Sequence, residues 1–290
     1  MPAGKTLDRA LLRGWPLPAS GGGDKNARGS IFVVAGAPQM PGAAVLCATA
    51  ALRAGAGRLQ IGTCASVAAY VGSTVLEALV VALEETSSGA IATSNAPSIV
   101  ERSGKTDALV IGPGLVDETA SAALIAAVAG GLDVPVVIDA AALACFADRT
   151  DVVAHLAGRA VLTPHCGEMA SMLQRSREEI EADPAPFALD AARRFNAVVA
   201  LKGETTYIAD PHGELVRNEH GNAGLATSGS GDVLAGIIGG LLARGTPPLH
   251  AAAWGVYLHA KAGDVLAKRV GFGFLARELL AEVPPLMREV

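Results

Sequence analysis

The chain has 290 residues, 51% of them hydrophobic, and a net charge of −5. That is enough for one large α/β domain or two smaller ones, and its scattered Lys and Arg exclude a general nucleic-acid binder, which would show a basic face. The longest apolar stretch, residues 120–132, is interrupted by Ser121, Gly130 and Gly131 and is too short to span a bilayer. Cys47, Cys64, Cys145 and Cys166 show no C-x-x-C spacing and read as free thiols in a reducing compartment. The first residues carry Lys5, Asp8 and Arg9 without an apolar core segment, so no secretory signal is expected. The expectation is a soluble cytoplasmic protein.

In chain order, a short helical pattern covers Leu7 to Leu12. A Gly/Pro-rich stretch through Gly23 and the polar residues 24–28 follow. Beyond them, short β-rich runs alternate with Ala-rich helical ones. The strand candidates are residues 31–35, 58–62, 108–112, 135–139, 160–163 and 198–201. They are apolar on both faces and bounded by turn residues, as buried parallel strands are. Helix candidates lie between them at residues 43–54, 118–129 and 187–195. Such alternation predicts right-handed βαβ crossovers and a parallel sheet covered on both faces. Residues 205–218 differ: two β-type runs flank Asp210-Pro211-His212-Gly213, which predicts an antiparallel hairpin appended late in the chain. Residues 248–267 and 274–286 read as helices. With no linker, repeat or charge block, the expectation is one domain over residues 1–290.

Two familiar motifs fail. Ser103-Gly104-Lys105-Thr106 ends like a phosphate-binding loop, but Ile99 stands where the first Gly is required and the segment precedes a strand. It reads as a surface turn. The loop after the first apolar strand, Gly36 to Gly42, is not G-x-G-x-x-G, so a dinucleotide fold of Rossmann type is not supported.

The chain is organised around Gly221 to Gly236, centred on Gly229-Ser230-Gly231-Asp232 and followed by the apolar helical run Val233 to Leu242. Glycines ahead of a helix let a ligand approach the backbone, and the unpaired N–H groups of the first turn suit an anion, phosphate above all. A carboxylate at that place fits a general base toward a hydroxyl that attacks a phosphoryl group. The alternative is that Asp232 only caps the helix.

In open parallel sheets ligands bind beyond the carboxyl ends of the strands. There the sequence places Gly36, Gly112-Pro113-Gly114, Asp139, Thr163-Pro164-His165 and Lys202-Gly203. Each has a plainer reading: Gly112 to Gly114 as a turn, Asp139 as a helix cap, His165 as an idle loop residue. Glu168 has capping-box spacing from His165, yet the box is expected to need Ser or Thr at the cap. Lys202, directly after an apolar strand, either snorkels to the surface or meets an anion. His259 reads as structural. No residue set has zinc spacing, leaving Mg²⁺ bound with nucleotide phosphates as the expected metal.

Three motifs in order carry a resemblance. They are Thr163-Pro164-His165-Cys166-Gly167-Glu168-Met169, Leu201-Lys202-Gly203-x-x-Thr206 and the Gly221 to Gly236 stretch. Together they resemble the NAD(P)H-hydrate dehydratases of the ribokinase-like superfamily, from about Leu12 to the C-terminus, with residues 25–57 and 259–264 also fitting. The resemblance implies a ribokinase-like α/β fold: a central, mostly parallel sheet covered by helices on both faces, with a late antiparallel hairpin. It implies repair of the S epimer of hydrated NADH or NADPH. A nucleotide phosphoryl group goes to the ring hydroxyl and phosphate is then eliminated, with ADP the expected donor and ATP the alternative. By the same resemblance Asp232 is the base and Gly229, Ser230 and Gly231 form the anion hole. Ala43, Gly114, His165 and Asp232 match the hydrate site. Lys202, Gly203, Glu204, Thr205, Thr206, Asn222 and Gly231 match the nucleotide site. Glu168 corresponds to an acidic position linked to Mg²⁺ through water.

The resemblance further implies a homotetramer and a separate epimerase as functional partner; from charge and apolar pattern, no nucleic-acid or membrane partner is expected. Departures from the family pattern include Cys166 and Ala223 for Pro, Leu225 for Met, Ser228 for Gly and Ser230 for Thr. Ala141 stands where a second Asp is usual. Two other readings remain at this point: a kinase of the same superfamily acting on a small alcohol such as a vitamin precursor, and a non-catalytic nucleotide-binding protein.

Overall fold

Alternate residues of the apolar strands face opposite ways, and each side must be covered. Ile31 and Val33 enter one buried cluster while Phe32 and Val34 enter another. The computed structural model describes residues 4–18 and 27–290; most of the polar stretch 24–28 lies outside them. The strands are β1 (Lys5–Thr6), β2 (Ser30–Val34), β3 (Arg58–Cys64), β4 (Ala78–Leu83), β5 (Ala108–Ile111), β6 (Val136–Ile138), β7 (Ala160–Leu162), β8 (Val198–Leu201), β9 (Thr206–Ala209) and β10 (Leu215–Asn218). They form one sheet of order β1-β10-β9-β8-β7-β6-β5-β2-β3-β4. From β4 to β8 all neighbours are parallel; β9 is antiparallel to both β8 and β10.

The hairpin is therefore not an appendage. It continues the main sheet, and β1 pairs parallel with its outer strand, Lys5 opposite Val216. The strand β4 escaped the sequence reading. So did the neighbouring helices α3 (Ala65–Thr74) and α4 (Ala96–Ser103). The other helices are α1 (Arg9–Arg13), α2 (Pro41–Arg53), α5 (Glu118–Ala129), α6 (Cys166–Leu173), α7 (Arg177–Ala182), α8 (Pro184–Phe195), α9 (Ser230–Ala243), α10 (Pro248–Val270) and α11 (Ala276–Arg288). The clusters divide them: α2, α9, α10 and α11 supply one face, α4, α5, α6 and α8 the other. Ser103 and Gly104 end α4, and exposed Lys105 pairs with Glu101 at 2.5 Å. The phosphate-loop look-alike is a surface turn. No helix among the described residues is long and apolar enough to cross a membrane.

The chain runs outward from β2 through β3 and β4, then returns to β5 on the other side of β2. The strand order reverses between β2 and β5, and a ligand crevice is expected beyond their carboxyl ends. The loops there are joined by the Gly36 amide, which donates to the Pro113 carbonyl at 2.9 Å.

Helix α9 reaches this edge because small residues let it sink between α2 and the sheet. A Cβ on Gly236 would run into the Cys47 carbonyl of α2, and one on Gly239 into Val110 of β5. Gly236→Ala is expected to destabilise the fold by about 1–3 kcal/mol, since backbone cannot yield as a side chain does. Gly130→Ala, at a helix end with open space around it, serves as control. Equal denaturation midpoints for the two variants would show that α2 and α9 are not held this closely.

Candidate active site

Gly229 starts the site by taking a left-handed conformation, φ +86°, at the N-cap of α9. Asp232 therefore sits inside the first turn and is not the cap. The Ser230 amide bonds to the Thr227 carbonyl at 3.2 Å, and Val233 to Gly229 at 3.1 Å. Among the described residues, the amides of Gly229, Gly231 and Asp232 donate to nothing. These free N–H groups at a positive helix end are what an anion needs.

A charged cluster lies beside this turn. Lys202 extends from the end of β8, held by its amide to the Pro164 carbonyl at 2.8 Å. Its Nζ donates to Asp139 Oδ1 at 3.0 Å and stands 3.9 Å from Glu168 Oε2. Asp139, almost fully buried, also accepts from the Thr163 hydroxyl at 2.7 Å. It stands at the N-cap of the 3-10 turn Ala140–Phe146, but its side chain makes no capping bond; its partner comes from 63 residues further along. The anion that Lys202 was expected to meet is thus first a carboxylate of the protein. Burial lowers the Lys202 pKa, but Asp139, Glu168 and Asp232 outweigh it and the net shift is upward. The lysine stays charged. Gly231 borders the cluster: a Cβ there would sit in ordinary contact, 3.6 Å from Lys202 Nζ and 3.9 Å from Asp139 Oδ2.

The Asp232 carboxyl is pushed up to about 6, by burial first and the Asp139 charge second, against the pull of Lys202. Asp232 also turns toward α2, where burial and then the charges of Asp232 and Asp139 drive the Cys47 thiol up.

His165 caps α6, so the expectation that such a box needs Ser or Thr does not hold. Its ring Nδ1 accepts from the Glu168 amide at 3.0 Å, and Glu168 Oε2 accepts from the His165 amide at 2.7 Å. A neutral imidazole nitrogen has the lone pair the box requires. The box fixes Glu168 toward Lys202.

A cleft of about 890 Å³ opens between the hairpin and α9. Of the residues singled out from the sequence, His165, Lys202, Gly203, Glu204, Thr206, Asn222, Ser230 and Gly231 line it, and Thr205 lies in the same turn. Ala43 and Gly114 meet elsewhere, at the β2–β5 reversal, where a Cβ on Gly114 would run into the Ala43 methyl. Gly229 and Asp232 stand between the two regions: Gly229 lies against Leu46 of α2, near Asp232 Oδ2. The first turn of α9 therefore divides a large cleft on one side from a small-residue crevice on the other. Sequence reasoning missed the floor and far wall of the cleft, which include Asn218, Leu234, Val256 and His259. The helical spacing of Val256 and His259 was the available signal, and it reads equally well as core.

A family model for NAD(P)H-hydrate dehydratases matches residues 31–285. The chain belongs to the NAD(P)H-hydrate dehydratase family. It is 44% identical to the ADP-dependent (S)-NAD(P)H-hydrate dehydratase of Xanthomonas campestris pv. campestris, over 99% of this chain and 97% of that one. It is 40% identical to a bifunctional NAD(P)H-hydrate repair enzyme of Moorella thermoacetica over 92% of this chain, and spans about half (51%) of that longer relative. The ADP/ATP-dependent NAD(P)H-hydrate dehydratase of Bacillus subtilis, crystallised with ATP and Mg²⁺, superposes with a TM-score of 0.83 at 28% identity, covering 100% of this chain and 99% of that one. The fold is ribokinase-like. Against the family's usual pattern, Ala141 falls in the 3-10 turn Ala140–Phe146 just past Asp139. That leaves Asp139 and Glu168 as the carboxylates beside Lys202.

Proposed function

We propose that this protein restores the S epimer of hydrated NADH or NADPH to NADH or NADPH in a nucleotide-dependent dehydration, using ADP as donor and residues 1–290 as one catalytic domain. The observation that carries the reading is Asp232: a shielded carboxyl with its pKa raised to about 6, in a helix turn whose amides are left free for an anion. A base of that pKa is mostly ionised at neutral pH yet still able to take a proton.

The chemistry follows from leaving-group ability. Hydroxide leaves the reduced ring poorly, and phosphate leaves it well. Asp232 removes the proton from the ring hydroxyl as its oxygen attacks the terminal phosphoryl group of the nucleotide, releasing AMP from ADP. The amides of Gly229 and Gly231 with the Ser230 hydroxyl hold the oxygens of the transferring group. The ring nitrogen lone pair then expels phosphate, the C–O bond breaking with the oxygen leaving on phosphorus, and loss of a proton from the adjacent ring carbon restores the double bond of the reduced ring. We place the nucleotide in the cleft along Lys202 to Thr206 and Asn222, with His165 in the same lining, and the hydrated ring in the crevice by Ala43 and Gly114. Mg²⁺ with nucleotide phosphates needs only one or two carboxylates and water. Glu168 and Asp139 fit that need, and the ion would offset charge on the phosphates.

Hydrated NADH mixed with Mg²⁺ and the protein, with ADP or ATP in separate reactions, tests this reading. Reduced-nicotinamide absorbance is expected to return only with nucleotide, and faster with ADP. No return with either, from protein that still binds ADP, would overturn it. Lys202→Ala is expected to raise the KM for ADP more than that for the hydrate, measured in the same assay; equal rises would remove Lys202 from the nucleotide site. The bifunctional name of the longer relatives supports a separate epimerase as the functional partner. A cytoplasmic homotetramer completes the proposal.

A further inference from the structure

Helix α10 carries a histidine that the reaction above does not use. His259 stands in the cleft wall with Nε2 2.9 Å from the Ser230 hydroxyl. The Ser230 amide is already engaged by the Thr227 carbonyl, so the hydroxyl is what Ser230 has to offer an anion. Burial, aided by the Lys202 charge and opposed by Ser230, lowers the His259 pKa to about 4. The ring is neutral near pH 7 and holds one proton, on either nitrogen.

Two arrangements follow. With Nε2 unprotonated, the serine donates to the ring and turns oxygen lone pairs to the cleft, which repel an anion. With the proton on Nε2, the ring donates to Ser230 Oγ and the hydroxyl hydrogen is free for a phosphoryl oxygen. The Nδ1 atom has no hydrogen-bond partner among the described residues, so a bound anion is left to select the second arrangement. The same helix anchors the other end of the glycine-rich loop. Asp264 Oδ1 accepts from Asn222 Nδ2 at 3.3 Å, and Asn222 Oδ1 accepts from the Gly224 amide at 3.0 Å. Gly263 leaves space for Leu225, whose Cδ2 would lie 2.7 Å from a Cβ there.

We infer that His259 is a positioning residue: bonded to Ser230 from the cleft wall, it turns the serine hydroxyl into a hydrogen-bond donor toward the transferred phosphoryl group. The inference rests on the nucleotide-dependent reaction proposed above.

A double-mutant cycle tests it, comparing wild type, Ser230→Ala, His259→Phe and the double variant by absorbance recovery, with ADP affinity measured by calorimetry. Phe keeps a flat ring, somewhat larger than imidazole, that cannot bond; His259→Gln restores an N–H at the distance of Nε2. Without the ring to orient the serine hydroxyl, kcat is expected to fall roughly tenfold in His259→Phe, with the hydrate KM and ADP affinity within about twofold. The double variant is expected to be no slower than Ser230→Ala, and Gln to recover most of the rate. An unchanged kcat in His259→Phe, full multiplication of the two single effects, or a Gln variant as slow as Phe would overturn the role. Should the Phe variant not fold, His259→Asn, whose amide is too short to reach, takes its place in the cycle. If wild type shows no nucleotide-dependent recovery, the proposed function fails and this role with it; if wild type turns over and the His259 variants match it, only the role of His259 fails.

Discussion

On the proposed role of Asp232 as base, Asp232→Asn is expected to lower kcat by about 10² to 10⁴, roughly 3 to 5 kcal/mol of barrier. The amide has the shape of the carboxyl and leaves the first turn of α9 in place, so ADP affinity stays within a few-fold. What is lost is the ability to take the hydroxyl proton. The wild-type rate should also fall about tenfold per pH unit below the pKa near 6, as protonation removes the base. The stability of the same variant gives an independent check. A carboxyl whose pKa is raised from 3.8 to about 6 on folding favours the folded state below the unfolded value and loses that contribution as pH rises through 6. At pH 7 the wild type carries a poorly solvated charge that Asn lacks, so Asp232→Asn is expected to melt at the same temperature or higher. Turnover within a few-fold of wild type would remove Asp232 as the base.

Asp139→Ala has the second largest expected effect, because one carboxylate serves several groups. It accepts from Thr163 and Lys202, and its charge helps to hold the Asp232 pKa up. Removing one partner of a buried ion pair leaves the other uncompensated, at about 3–5 kcal/mol when both are fully enclosed. The Lys202 side chain keeps 22% of its surface exposed and has Glu168 at 3.9 Å, so a loss of roughly 2–4 kcal/mol is expected by denaturant titration. The acid limb of the rate profile moves to lower pH, since Asp232 loses a like charge and keeps the attraction of Lys202. Unchanged stability and an unmoved limb would contradict the cluster as described.

Much of the fold, and the grouping of part of the candidate site, was legible in the residues. The parallel strands announce themselves by apolar runs ending in Gly, Asp or Thr, because a strand buried on both faces has no polar side to confuse its reading. The glycine-rich start of α9 was legible as a close-approach turn from its many small residues around one carboxylate, although packing accounts for some of them, Gly236 against α2 among them. Strand β4 was not. Residues 76–83 are rich in Leu, Val and Ala, which suit a helix as well as a strand, and only the neighbouring β3 decides between them. The hairpin's turn was readable, but not that β9 would find β8 and extend the sheet, a pairing set by tertiary context. Asp139 looked like a cap because local spacing cannot reveal a lysine far along the chain. The His165 box was missed because the usual rule names hydroxyl caps, whereas the physical requirement is an acceptor lone pair. His259 read as structural, and its place in the fold is structural; its contact with Ser230 depends on how α10 crosses α9, which no local pattern encodes.

The central claim is that the ring oxygen is phosphorylated and then leaves as part of phosphate. The most direct measurement follows that oxygen. Hydrated NADH carrying heavy oxygen in its ring hydroxyl is turned over with ADP and Mg²⁺, and the released phosphate is examined by mass spectrometry. One heavy oxygen is predicted in each phosphate released, in step with the return of reduced-nicotinamide absorbance. Heavy oxygen found in water, with unlabelled phosphate, would mean that the nucleotide is hydrolysed beside the dehydration and not through it, and would contradict the role of Asp232 and its helix turn in phosphoryl transfer to the ring.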